Sequence, residues 1–388
     1  VNSIEFRSTL VFWTNEMVPV SGTNLMAALA VLEDPRQPSN GTLHDFQEIL
    51  VIAICAMLSD ADNFEDIALW GRLKERWLKR FLTLKNGMPS HDTFERVFRI
   101  LNPDRFEAVF RQWVGGIITT LGGQMAIDGK VLRRSADGDS PPAHMVSAFA
   151  TNLGLVLGQE KVADKSNEIT AIPVLLDALY VKGFLISIDA MGCQREIAAK
   201  IIEKGGDFLL AVKGNQPTLL ASIETAFIDR PEDGASYEHV DKSHGRLVAQ
   251  IGHTLPAVGH VDTTLWPQCK TIGRVSSFRV VGGKPSELEQ RFYICSRDIT
   301  AEDMAVAVRA HWGIENQLHW MLDVNFGEDG CLVRKDNAPQ NLSLLKKIVL
   351  NLIRADTTDN VKTSLRQKRK RAAWDDHIRM CMLGLQPL

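Results

Sequence analysis

The chain has 388 residues, of which 45% are hydrophobic and 23% charged, and its formal net charge is -3. That length allows two domains, or one large domain with a sizeable insertion, and the composition excludes disordered and fibrous classes. The slightly acidic balance excludes a protein that coats nucleic acid with its whole surface, so any such contact must come from local basic patches.

Residues 1–23 begin with Val and carry Asn2, Glu5 and Arg7 among apolar residues, so they are read as an N-terminal extension and not as a secretion signal. From 24 to 120 apolar positions recur at helical spacing, as in Phe94, Val97, Phe98 and Leu101, which predicts a compact all-α N-terminal domain. Its longest apolar run, Ile49 to Leu58, is too short to cross a bilayer. Asp92 is the expected N-cap of the helix HDTFERVFRI, with Glu95 at the reciprocal capping-box position, and Asn102-Pro103 marks a turn before the next helix.

At Gly122 the pattern changes. QMAIDGK, HMVSAFATN and GLVLGQEKVADK read as three successive strands, followed by helix, strand, helix and strand in ITAIPVLLDALYVKG, FLISIDA, QREIAAKIIEKGG and DFLLAVKGN. That order predicts a mixed α/β sheet of RNase H-like type over 121–388. The stretch 231–296 is again β-like and reads as an insertion, after which helical periodicity returns and the chain closes on a basic helical segment. The six cysteines are scattered without a CxxC pair, which suits a reduced, cytoplasmic setting.

Three acids stand out. Asp128 and Asp189 are each expected where a strand gives way to a turn, the sheet edge at which open α/β folds bind ligands. A turn-forming Asp is the bland alternative for both. Glu315 lies in a helix whose Val308, Trp312 and Leu318 are expected to face the sheet; taken alone it reads equally as a solvated helix residue. If the helix packs beside the two strands the acids converge, and two carboxylates about 4 Å apart repel by roughly 4 kcal/mol at an effective dielectric near 20. Bound cations relieve that repulsion. An oxygen-only site selects Mg²⁺ or Mn²⁺ over zinc, and two such ions suit in-line displacement at a phosphodiester. Glycoside hydrolysis also uses paired carboxylates but has no need of a third acid on a helix.

The residues IDGK (127–130), HMVSAFATNLGLVLGQEKVADKSNEITAIP (144–173), IDAMGCQREIA (188–198), LLAVKGNQP (209–217) and RAHWGIENQLHWMLDVNFGED (309–329) resemble the ISAs-type, or H-repeat-associated, transposases of bacterial insertion sequences. The similarity extends back through EDPRQ (33–37) and NGMPSHDTFERVFRILNP (86–103) and covers nearly all of the chain beyond residue 24. It implies an RNase H-like DDE catalytic domain with a β-rich insertion, in which Asp128, Asp189 and Glu315 are catalytic and hold two Mg²⁺ ions, with Mn²⁺ able to substitute. It implies double-stranded DNA as partner, both terminal inverted repeats and target, a homodimer in the synaptic complex, and a nucleoid-associated cytoplasmic location. Related cut-and-paste enzymes carry a Tyr-Arg-Glu-Lys signature; here His311 and Leu322 stand at the Arg and Lys positions, and Arg309, His311 and His319 are the candidate substitutes for DNA contact. Packing of these histidines against Trp312 and Trp320 is the alternative.

Further DNA-contact candidates are Lys130, Arg133 and Arg134 after the first Asp, Lys213, Asn215 and Gln216 at the neighbouring strand end, and the basic run Lys362, Arg366, Lys368, Arg369, Lys370 and Arg371. Two rivals share these features: a nuclease of the same fold that cuts without joining, and an inactive DNA-binding protein.

Overall fold

The computed structural model describes residues 23–39, 42–118, 122–138, 140–164, 166–229, 235–243, 246–281, 284–358 and 363–385. The 1–23 extension, except Thr23, and Lys362 lie outside them. Contacts divide the chain into two compact units: the described residues of 1–119, 131–145 and 320–388 form one, and those of 120–130 and 146–319 form the other. The described C-terminal residues thus group with the N-terminal helices by contact.

The helical unit is built from α1 (Thr23–Leu29), α2 (Phe46–Leu58), α3 (Phe64–Leu78), α4 (His91–Ile100) and α5 (Pro103–Ile117). Helix α2 is buried nearly all round, which is why its sequence shows a continuous apolar run instead of a stripe. Helix α4 is capped by Ser90, whose hydroxyl accepts the Thr93 N–H, and not by Asp92, which sits inside the first turn. Asn102 caps α5 with Pro103 at its first position. The unit is completed by α10 (Trp320–Phe326), α11 (Ala338–Ala355), α12 (Leu365–Trp374) and α13 (Asp376–Met382). Asn341 of α11, fully buried, donates to the Phe98 and Leu101 carbonyls at the end of α4, at 2.8 and 2.9 Å.

The other unit is built on a mixed sheet of β1 (Gly123–Val131), β2 (His144–Ala150), β3 (Leu155–Lys161), β4 (Phe184–Ile188), β5 (Asp207–Val212), β6 (Ala235–Ser243), β7 (Arg246–Pro256), β8 (Thr271–Val281), β9 (Lys284–Pro285) and β10 (Glu289–Cys295). Its order is β3-β2-β1-β4-β5-β10-β8-β7-β6, with β9 on β8. Strands β1, β4 and β5 are parallel, and β10 pairs antiparallel with β5. Helices α6 (Glu168–Ala178) and α7 (Arg195–Glu203) connect the parallel strands, and α8 (Pro217–Asp229) follows β5. The β-like stretch 231–296 supplies β6 to β10, and β10 extends the central sheet by pairing with β5.

On the extended strand, side chains alternate faces, so Gln124 and Asp128 share one face of β1 while Leu185, Ser187 and Asp189 share one face at β4. Helix α9 (Ala301–His311) covers that face: Met304, Ala307 and Val308 pack with Leu185, Leu209, Val275 and Tyr293. Two glycines let the helix approach β7 and β8. A Cβ at Gly252 would lie 2.9 Å from the Ala301 carbonyl oxygen, and one at Gly273 would lie 2.7 Å from the Met304 methyl. Backbone cannot yield as a flexible side chain does, so Gly252→Val is expected to lift the N-terminal turn of α9 and destabilise the protein by about 1–3 kcal/mol. A denaturant titration checks this; an unchanged midpoint would show that the helix is not seated there. Among the described residues no helix is long and apolar enough to cross a membrane.

Candidate metal centre on the sheet

The parallel register of β1 and β4 ends at Ile127↔Ile188. Asp128 and Asp189 each follow the last paired residue, Asp128 still within β1 and Asp189 just past the end of β4. Asp128 lies within β1, which runs on to Val131, and not at a strand end as its sequel Gly129 suggested. Asp189 does sit at the end of β4. Its Oδ1 accepts the Met191 N–H at 3.0 Å and the Gly192 N–H at 3.4 Å, so the turn-forming role is realised alongside any other.

Glu315 arrives from the opposite side of the sheet face. After α9 the helix widens into a π-helical turn, Ile314–His319, before continuing as α10. Single π turns of this kind concentrate at functional sites, because the wider turn re-aims side chains. Ile314 and Leu318 point into the core, Glu315 is half exposed and His319 is buried. Trp312 is 41% exposed and meets the sheet through Arg291 of β10, whose guanidinium lies 4.5 Å from the ring centre.

The helix is fixed over the strands by a buried polar chain. The Gln124 side-chain amide donates to Ser187 Oγ and to the Ala307 carbonyl, each at 2.8 Å, and Ser187 Oγ meets His311 Nδ1 at 3.1 Å. Burial holds the His311 imidazole down at about 4, so it is neutral near pH 7 and offers no charge to a phosphate. His311 ties the helix to β4 through Ser187.

Three donor groups meet at the end of this face. Ligand atoms of Asp128, Glu315 and His319 all lie within 4.8 Å of one another. His319 Nδ1 is 3.5 Å from Glu315 Oε2 and 3.7 Å from Asp128 Oδ2. These separations exceed a good hydrogen bond, and two donors sharing one small divalent ion at about 2.1 Å lie roughly 3.0–3.4 Å apart. His319 Nε2 is buried without a hydrogen-bond partner. The donor set fits a divalent cation. Asp189 is not within this cluster as it stands, and the convergence expected of three carboxylates is met by two of them and an imidazole.

The electrostatics separate the acids. Burial pushes Asp128 up to about 7, against the pull of His319 and with a push from Glu168. Burial likewise raises Asp189, opposed by the Gly192 N–H and again aided by Glu168. Glu315 is held below its usual range, chiefly by the adjacent His319, with a contribution from Lys130. Glu168 went unremarked in the sequence. It is the first residue of α6, 9% exposed, and Ile172 one turn later abuts the turn after Asp189, where a Cβ on Gly192 would lie 3.2 Å from the Ile172 methyl.

Other candidates fall in two groups. The Asn215 amide donates to the Ala190 carbonyl at 2.7 Å and that of Gln216 to the Cys193 carbonyl at 2.9 Å, which braces the Asp189 turn. Lys213 is exposed and lowers Asp189 through its charge. Lys130 lies 3.4 Å from the His319 carbonyl, and Arg309 donates to Gln250 at 2.9 Å. In the helical unit, Arg133 pairs with Asp329 at 3.3 Å while remaining 77% exposed, and Arg134 is exposed. Lys368 donates to the Asp356 carbonyl at 2.7 Å and Lys370 lies 5.7 Å from the centre of the Trp374 ring. Arg371 is half-buried on the same helix. Arg369 is 2% exposed and is enclosed by the helical unit, so its reading as a surface cation is corrected.

Comparison with known proteins agrees with the motifs. The family described as "Transposase DDE domain" matches residues 122–352, and one described as "DDE_Tnp_1-associated" matches residues 26–114. The Escherichia coli K12 protein named "H repeat-associated putative transposase YhhI" is 40% identical over 369 residues, covering 90% of this chain and 95% of that protein. "Putative transposase YncI" of Escherichia coli O157:H7 is 39% identical over 361 residues, covering 90% and 92%. Among solved structures, the piggyBac transposase synaptic complex with hairpin DNA aligns at 12% identity with a TM-score of 0.42, covering 96% of this chain and 79% of that one.

Proposed function

The chain belongs to the transposase DDE domain family, and from that premise we propose that it cuts DNA at the ends of its element and joins them to target DNA, with Asp128, Asp189 and Glu315 as the catalytic acids on an RNase H-like sheet. The observation that supports this reading is the register Ile127↔Ile188, one residue short of Asp128 and Asp189 on two strands from distant parts of the chain.

Two Mg²⁺ ions, or Mn²⁺ in their place, would be held by Asp128, Asp189 and Glu315, and when bound they supply charge neutralisation for the attacking and leaving oxygens of the phosphodiester. The chain's own residues do the rest. Asp128 is carried by β1, and Asp189 by the turn that follows β4. Glu315, on the π turn, is held in reach by the Gln124–Ser187–His311 chain. Asn215 and Gln216 keep the Asp189 turn closed and serve the site from behind. Lys130, Arg133, Arg134, Lys213, Arg309, Lys368, Lys370 and Arg371 are proposed to meet phosphates of the terminal repeats and target, the contacts that fix register without reading sequence. Two ends must be cut and joined together, which calls for a homodimer acting at the nucleoid.

The test incubates the full chain with DNA carrying the element ends, Mg²⁺ and a supercoiled target, and sequences the junctions. Joined ends with a target duplication are expected. Shortened fragments without any joined product would replace this reading with that of a nuclease, and binding without cleavage would replace it with that of an inactive DNA-binding protein.

A further inference from the structure

We propose that His319 Nδ1 is itself a metal ligand, so that one cation is held by Asp128, Glu315 and an imidazole, and that this mixed nitrogen and oxygen site prefers Mn²⁺ over Mg²⁺. The inference rests on the metal-dependent reading above and goes past it, because the acid triad alone is an oxygen-only site.

Four observations lead here. His319 is 4% exposed, so its ring is fixed by packing and not by solvent. Neither nitrogen has a hydrogen bond of normal length to explain its place: Nε2 has no partner, and Nδ1 faces two carboxylate oxygens at 3.5 and 3.7 Å. Glu315 and His319 are four residues apart on one helical turn, a spacing that sets two donors on the same face. Finally, Asp189 spends Oδ1 on the Met191 and Gly192 N–H groups and lies outside the donor cluster, which leaves a place among the ligands that His319 occupies.

The chemical consequence follows from ligand type. Carboxylate and water suit Mg²⁺, whereas imidazole favours the transition ions, so replacing one oxygen by nitrogen moves the balance toward Mn²⁺ and the later metals. The catalytic acids stay as they are; the histidine changes which cation they share.

The probe is Mn²⁺ alone, added at one equivalent or less to the purified full-length chain without DNA, and read by electron spin-echo envelope modulation. Coupling to a directly bonded ¹⁴N nucleus is expected in the wild-type spectrum. It should vanish in His319→Gln, which keeps the side chain's size and offers an oxygen, while the Mn²⁺ to Mg²⁺ affinity ratio falls at least about tenfold. Bound Mn²⁺ without nitrogen coupling in the wild-type chain would overturn the inference and leave the carboxylate site standing. Coupling that survives His319→Gln would overturn it also, since another nitrogen would be responsible. No bound Mn²⁺ at all would overturn both this inference and the metal-dependent reading beneath it. The wild-type spectrum decides the matter even if a variant fails to fold.

Discussion

Asp128→Asn is expected to lower Mg²⁺-dependent end cleavage about a thousandfold or more, roughly 4 kcal/mol of transition-state stabilisation, and at the same time to make the metal-free protein more stable. The two effects have one cause. Burial drives the folded-state carboxyl from 3.8 up to about 7. Below pH 3.8 the group is protonated in both folded and unfolded chains and folding is unaffected by it. As pH rises the unfolded chain releases the proton first, so the folded state loses stability progressively until about pH 7, above which the loss is complete. Asn carries no charge and escapes it. At pH 8 without metal the variant should therefore melt above the wild type by an amount on the order of 1–3 kcal/mol, and at pH 3.5 the difference should close. Adding Mg²⁺ should raise the wild-type melting temperature and leave the variant's unmoved. Thermal melts at both pH values, with and without Mg²⁺, test this. A wild type that melts higher than the variant at pH 8 without metal would show that Asp128 is a structural anchor and not a strained ligand.

Arg369→Ala should destabilise the helical unit by about 3 kcal/mol and lower its melting temperature by several degrees. The guanidinium closes the C-terminal end of α2, where helix carbonyls lack intrahelical partners. Its Nε donates to the Met57 carbonyl at 3.0 Å, and Nη2 donates to the Ala61 carbonyl at 3.0 Å and to Asp62 Oδ1 at 2.8 Å. The plane also lies over Phe326, 4.3 Å from the ring centre. Truncation leaves buried carbonyls without a donor and opens a gap beside an aromatic ring. Lys370→Ala, next in sequence and more open to solvent, should change stability by less than about 0.5 kcal/mol. Equal effects of the two substitutions on stability would contradict the enclosed position of Arg369.

The fate of Arg369 shows what a sequence hides. In KRKR the four cations look alike, yet the partners of Arg369 lie 308 and 312 residues away, at the end of a helix that no local pattern connects to it. The same holds for the β-rich stretch 231–296. Alternation identified its strands, but pairing partners are non-local, and nothing in QRFYICS says that it will lie against LLAV. By contrast, the strands and helices from Gly122 to Val212 were legible because each has its own period and its own punctuation. Asp128, Asp189 and Glu315 were singled out through the motifs IDGK, IDAMG and HWGIEN. His319 was visible only as a cation candidate near Trp320. The signal that could have marked it as a donor was its four-residue spacing from Glu315. Glu168 gave no such signal: an acid opening a helix is ordinary, and only the packing of α6 against the Asp189 turn makes it more than that.

The π turn at Ile314–His319 also constrains how this gene can change. It holds one residue more than an α turn would, and each residue in a helix advances the phase by about 100°. Upstream, Met304, Ala307 and Val308 must meet the sheet; at the far end of the turn, Leu318 and His319 are buried in the same unit. A one-codon deletion in this segment would leave every side chain chemically intact and yet turn the second set away from its core. Tolerance to substitution and tolerance to length change should part company here, with exposed Asn316 and Gln317 freely exchanged but never lost.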